Sequence, residues 1–254
     1  MVSVHMFACL RDNYGYLLHD AEAGLTAAID TPDAQAISRE LDSQGWQLTH
    51  ILNTHHHGDH AGGNLELKAR TGCRIIGPAA DAQRIPGIDE GVGDGDTVAF
   101  GSQRIEVFDT PGHTRGHIVY LLREARIAFV GDTLFSLGCG RLFEGTPAQM
   151  WSSLQKIMAW PDDTLLYCAH EYTQANGRFA ATLEPANTAL TKRLADVSAL
   201  RERGEPSVPS TLSLEKATNP FLRPHSDELR ATLELPHADT VEVFARTREL
   251  KDAF

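Results

Sequence analysis

Residues 54–60 read Thr54-His55-His56-His57-Gly58-Asp59-His60, so four of the chain's twelve histidines fall within six positions, with an aspartate among them. Imidazole nitrogen and carboxylate oxygen are ligand atoms suited to zinc, iron or manganese. One ion does not need every donor of so short a stretch. The spacing suits two ions sharing one loop: His55 and His57 alternate and can face one, while Asp59 and His60 can turn toward a second, with Gly58 easing the turn. Further donors must come from elsewhere. His113 in DTPGHTRGH, Asp132 in FVGDTLF and His170 in CAHEYT follow in that order, each after a strand-like run. Two cations held this way lower the pKa of water from ~15.7 toward neutrality, so the chemistry on offer is hydrolysis by metal-activated water.

Strands must present these loops, because a strand end fixes the root of the loop that follows it. Strand-like runs lie at 2–8, 14–18, 26–29, 50–52, 74–76, 103–108, 118–122, 128–130 and 165–168, mostly short, β-branched or aromatic, and bounded by Gly, Asp or Pro. Helical spacing is read over 33–43, after a Thr-Pro start that suits a first turn, and over 63–71 and 147–158. From Thr173 the strand signal fades. Leu190, Leu194, Val197 and Leu200 recur at helical spacing behind the cap residue Asn187. The stretch 204–213 reads as a loop, and 238–251 is helical again. The expected organisation is an α/β domain over 1–172 and a small all-helical domain over 173–254.

Composition excludes several classes. The chain has 254 residues, 42% hydrophobic and 22% charged, which is ordinary globular composition. A net charge of −11 disfavours nucleic acid and anionic membrane as partners. Cys9, Cys73, Cys139 and Cys168 form no CxxC pair, so reduced thiols in the cytoplasm are expected. The opening MVSVHMFACLRDNYGY shows no signal-peptide pattern, and no run approaches the ~18 apolar residues of a membrane span.

THHHGDHAGGN, TPGHTRGH, GDTLF and AHEYT resemble the motifs of the metallo-β-lactamase superfamily. GCGRLFEGT, the AHEYT form of the last motif, and a tail holding NPFLR and KDAF narrow the resemblance to glyoxalase II, the hydroxyacylglutathione hydrolases, in their bacterial form. The resemblance spans essentially the whole chain. It implies an αββα sandwich with the metals at one edge, followed by the helical domain. It puts His55, His57 and His113 on one ion, Asp59, His60 and His170 on a second, and Asp132 on both. The ions implied are two divalent cations, foremost zinc, with iron and manganese open. His56 and His117 lie inside the motifs and read as hydrogen-bonding supports.

The activity implied is hydrolysis of S-(2-hydroxyacyl)glutathione, typically S-D-lactoylglutathione, to D-lactate and glutathione, the second step of methylglyoxal detoxification. Asp59 and Asp132 then serve the reaction as well as the ions, Asp59 by orienting the attacking hydroxide. A thiol of pKa ~8.5 leaves as thiolate with little protonation, which agrees with the absence of a GxSxG nucleophile motif. The resemblance assigns Arg141, Phe143, Tyr172, Arg248 and Lys251 to the glutathione. Phe143 stands where many members have Tyr, and Arg141 where those same members have Lys. Other readings remain open at this stage. A β-lactamase or lactonase would normally lack the helical tail, a persulfide dioxygenase needs only one iron, an RNA-processing nuclease would carry a basic arm, and a binding-only module would not need seven donors. A monomer is the default.

Overall fold

The computed structural model describes residues 2–254, which divide into two units. The first comprises the chain up to Asp109 together with Arg115–Gly131, and the second comprises Thr110–Thr114 with Asp132–Phe254. The architecture is α/β, with helices predominating toward the C-terminus.

In the first unit, β1 (Val2–Cys9) and β2 (Asn13–Asp20) form a hairpin in register from Val2 opposite Asp20 to Cys9 opposite Asn13. β3 (Leu25–Ile29) adds to it antiparallel. The chain then passes through α1 (Ala34–Gln44), β4 (His50–Leu52), α2 (Gly58–Ala61), α3 (Asn64–Thr71), β5 (Arg74–Pro78) and β6 (Glu90–Val92). β3, β4, β5 and β6 are parallel neighbours, an arrangement that requires crossovers such as α1 and α3. α1 starts one residue later than the periodicity suggests: Asp33 is the cap, its carboxylate accepting from the backbone N–H groups of Gln35 and Ala36. Pro32 therefore lies before the helix and not in its first turn.

Ile37 and Leu41 of α1 and Leu67 of α3 pack on Leu17, Ala28, Ile51 and Ile75 of the sheet. Truncating such a fully buried Leu to Ala typically costs ~2–5 kcal/mol. β7 (Thr97–Phe100), β8 (Gln103–Asp109), β9 (Ile118–Leu122) and β10 (Ile127–Gly131) form an antiparallel meander. It meets the opposite face of the first sheet, with Tyr16 against Phe129 and His50 against Phe100, both at 5.6 Å between ring centroids. The buried Tyr120 hydroxyl donates to Asn53 O at 2.8 Å.

In the second unit, β11 (Leu134–Phe135) and β12 (Gly138–Cys139) make a short hairpin. α4 (Pro147–Met158) opens with a capping box between Thr146 and Gln149. β13 (Leu165–Cys168) pairs antiparallel with β14 (Ser210–Thr211). The helices are α5 (Thr173–Leu183), α6 (Thr188–Glu202), α7 (Leu212–Thr218), α8 (Asp227–Thr232) and α9 (Thr240–Ala253). Asn187 caps α6 by accepting from Leu190 N–H. A buried ion pair, Arg193 with Glu215, ties α6 to α7, and Glu215 also accepts from the backbone N–H of Leu137 in the β11–β12 turn. No helix among the described residues is long and apolar enough to cross a membrane. All four cysteines are buried, and burial raises the thiols of Cys9 and Cys168 to about 12 and that of Cys139 to about 11.

Candidate metal centre

The first unit brings together the 54–60 cluster and a partner that spacing does not reveal. β3 and β4 run parallel with Ile29 opposite Leu52, so Asp30 and the loop after β4 leave the sheet side by side. Asp30 holds φ +57, a left-handed conformation that costs a non-glycine residue energy. Its buried carboxylate accepts from Thr54 N at 2.7 Å, Thr54 Oγ1 at 2.7 Å and His60 Nδ1 at 2.8 Å. A carboxylate oxygen accepts, so the His60 proton sits on Nδ1 and Nε2 presents its lone pair, 3.5 Å from Asp59 Oδ2.

His55 Nε2 and His57 Nδ1 face each other at 3.0 Å. The His55 ring also lies flat against His117 at 4.8 Å and 4.0 Å from the His60 ring. His56, the middle member, turns away: Arg84 Nη1 approaches its Nε2 at 3.1 Å, and its Nδ1 is 3.3 Å from Asp81 Oδ2. Gly131, just before Asp132 in sequence, holds φ +48, and a Cβ there would come within 2.7 Å of His117 Nε2 and 2.8 Å of Thr54 Oγ1. Only glycine fits both the conformation and the space.

The second unit carries the other donors. Asp132 is flanked on both oxygens: Oδ2 lies 3.4 Å from His113 Nε2 and Oδ1 lies 3.5 Å from His170 Nε2. His113 Nδ1 donates to Arg141 O at 2.9 Å, which again leaves Nε2 as the lone-pair nitrogen. Thr133 Oγ1 donates to Thr110 Oγ1 at 2.8 Å, tying the segments that carry Asp132 and His113. His170 is stacked on Tyr172 at 4.8 Å and meets the edge of Phe135. The carboxylate–imidazole gaps of 3.4–3.5 Å are longer than charge-assisted hydrogen bonds, which run ~2.7–2.9 Å. A simple His–Asp ion pair would use one imidazole. Asp132 instead has an imidazole nitrogen beside each of its two oxygens. His55, His57, Asp59 and His60 in one unit, and His113, Asp132 and His170 in the other, are all donors of the types divalent cations take, and the residues fit a divalent metal centre.

The residues assigned to glutathione all lie in the second unit. Arg141 is 63% exposed, with Nε 3.6 Å from Asp252 Oδ1. Phe143 is exposed, its ring 5.2 Å from that of His113. Arg248 is only 5% exposed. Its Nη1 donates to Cys139 O at 2.8 Å, its Nη2 lies 2.9 Å from Asp252 Oδ1, and its guanidinium sits over Phe221. Helical spacing placed Arg248 beside Lys251 but did not show these internal bonds. Lys251 Nζ lies over Phe179 and Phe254. Partial burial, then the guanidinium groups of Arg248, Arg141 and Arg178, push its ammonium below the ordinary lysine range. An anion would relieve that crowding. Asp30, Arg178 and Asp252 were not legible as parts of either cluster, because no motif marks them.

The chain is similar to known proteins along its whole length. The family described as "Metallo-beta-lactamase superfamily" matches residues 23–170, and "Hydroxyacylglutathione hydrolase C-terminus" matches 171–254. The hydroxyacylglutathione hydrolase of Maricaulis maris is 55% identical over 251 residues, covering 99% of this chain and 98% of that protein. That of Methylococcus capsulatus is 54% identical, covering 100% and 99%. Among solved structures, ETHE1 from Myxococcus xanthus aligns with a TM-score of 0.68 at 25% identity, covering 100% of this chain and 99% of its own. A di-iron-bound form of TTHA1623 aligns at 0.63 and 22% identity, covering 87% and 100%.

Proposed function

The chain belongs to the hydroxyacylglutathione hydrolase family of the metallo-β-lactamase superfamily, and on that premise we propose that it hydrolyses the thioester of S-(2-hydroxyacyl)glutathione, S-D-lactoylglutathione first, to D-lactate and glutathione. The observation that carries this reading is the match of residues 171–254 to the hydroxyacylglutathione hydrolase C-terminus, the part of the chain that separates this family from other hydrolases on the same fold. The catalytic domain is taken as 1–172 and the substrate-binding domain as 173–254, a division supported by where the two family matches meet.

His55, His57 and His113 would hold one cation, and Asp59, His60 and His170 the other, with Asp132 contributing to both. The flanking of Asp132 by His113 and His170 supports this assignment. When bound, the ions, taken as zinc, supply Lewis-acid activation of water and polarisation of the thioester carbonyl. Asp30 and the Arg141 carbonyl hold His60 and His113 with their protons on Nδ1, so both rings keep Nε2 for ligation. Asp59 orients the attacking water. The leaving thiol has a pKa of ~8.5 and departs as thiolate, so no side chain need act as a general acid. Arg141, Arg248 and Lys251 gather positive charge for the carboxylates of glutathione on a protein whose net charge is −11. Phe143 and Tyr172 offer their rings beside His113 and His170. The protein is taken as a cytoplasmic monomer.

The test is free-thiol release from S-D-lactoylglutathione by the purified protein, beside a chelator-treated sample. Fast release abolished by the chelator is expected. No release from protein carrying two metals per chain would overturn the reading. Hydrolysis of a β-lactam, or oxygen uptake with glutathione persulfide, would then show which sister activity replaces it.

A further inference from the structure

Asn13, the first residue of β2, is 6% exposed, and its amide faces Asp59, 46 positions later. Nδ2 donates to Asp59 Oδ2 at 3.1 Å and lies 3.4 Å from the Asp59 main-chain O, so one amide group grips both the side chain and the backbone of the same residue. Asp59 sits in the first turn of α2, a helix of four residues, with its side chain 39% exposed. A carboxylate in that setting has a broad, two-fold choice of rotation about its last bond. The strand root removes the choice. Asn13 is anchored opposite Cys9 where the β1–β2 hairpin closes, and an amide N–H bonds only to an atom that accepts. The orientation it selects keeps Oδ2 between Asn13 Nδ2 and His60 Nε2, at 3.1 and 3.5 Å. A residue that only filled space at the start of β2 would not need a donor aimed at a carboxylate.

We infer that Asn13 is a positioning residue that acts through Asp59, fixing this carboxylate for the cation that Asp59 and His60 hold. The inference rests on the assignment of those two residues under the proposed function. Supports of this kind, one bond behind a ligand, typically change metal affinity by ~10–100-fold when removed. The amide of Asn13 bonds Asp59 and so bears on the second cation, whereas the first would be held by His55, His57 and His113.

The test compares wild type with Asn13→Leu, which keeps the approximate volume and loses the donor, with Asn13→Ala as a smaller replacement should leucine disturb folding, and with Asp59→Ala. Each protein is stripped, checked for an unchanged melting temperature without metal, and dialysed against buffered free zinc. Bound zinc per chain is then measured directly. The expected result for both Asn13 variants is a first ion of wild-type affinity and a second weakened 10–100-fold. Turnover of the zinc-loaded protein should fall, with an unchanged KM. Wild-type affinity for both ions in either variant, or equal weakening of both ions, overturns the inference. Asp59→Ala separates the two possible failures. If it leaves the second ion in place, the assignment of Asp59 itself is wrong. If it removes that ion while Asn13→Leu does not, only the role of Asn13 is wrong.

Discussion

Replacing Asp30 by Asn changes almost nothing in shape and, on this account, a good deal in metal affinity. Asparagine tolerates the left-handed φ of +57 that Asp30 adopts, so the backbone is spared. The carboxylate, however, accepts three bonds: Thr54 N on Oδ1, and Thr54 Oγ1 and His60 Nδ1 on Oδ2. An amide offers one acceptor and one donor. With its oxygen toward Thr54 N, its NH2 faces His60 Nδ1, which can then only accept, moving the proton to Nε2 and blocking that nitrogen as a ligand. With its oxygen toward His60, its NH2 meets the Thr54 N–H, donor against donor in a buried site. The second arrangement costs ~1–3 kcal/mol for a buried group left without a partner. The first costs a ~10–100-fold loss of metal affinity, the usual effect of removing a ligand's hydrogen-bond support. The assay is urea unfolding of the stripped protein together with competitive zinc titration. Loss in one or both readings is expected. Stability within ~0.5 kcal/mol of wild type together with unchanged affinity for both ions would refute the reasoning, since an ordinary surface substitution stays in that range.

Asp132→Ala should remove bound metal and turnover together, checked by metal analysis and thiol release; full metal content with wild-type turnover would contradict its bridging role. Arg248→Ala should raise KM for the glutathione thioester more than it lowers kcat, and the wild-type KM should itself rise with added salt. An unchanged KM would count against the anion site. The buried thiols give a pH dependence of definite sign. Cys9, Cys139 and Cys168 bind their protons more tightly in the folded chain than at the ordinary value of 9.0, at about 12, 11 and 12. Their contribution to stability is full below pH 9 and is lost as pH rises toward 11–12. Iodoacetamide at pH 8 should therefore label none of the three until urea unfolds the protein, and rapid labelling of the native chain would contradict their burial.

The candidate donors are legible in the sequence because they cluster. HxHxDH is rare, and His113, Asp132 and His170 follow strand-like runs whose apolar residues are plain. Asp30 and Asn13 were hidden for a physical reason. Each is a single polar residue at a strand end, where turn chemistry explains it equally well. Only parallel pairing of β3 with β4 brings Asp30 to His60, and only closure of the β1–β2 hairpin aims Asn13 at Asp59. The long helices α1, α4, α6 and α9 were read from periodicity, and the capping box at Thr146 explains why 147–158 was bounded well. β6, β11, β12 and β14 escape the sequence reading because two or three residues carry no alternation, and β7, four residues long, escapes it as well. α7 and α8, of seven and six residues, are too short to show a stripe and depend on caps at Thr211 and Ser226.

The central claim is a thioesterase whose activity depends on a full two-ion site. Its most direct test is to strip the protein, add zinc in steps, and follow the rate of thiol release from S-D-lactoylglutathione against zinc bound per chain. The account predicts negligible hydrolysis without metal and a rate that climbs until two ions are bound and then stops. Undiminished hydrolysis by the stripped chain, or none with two ions bound, would contradict it.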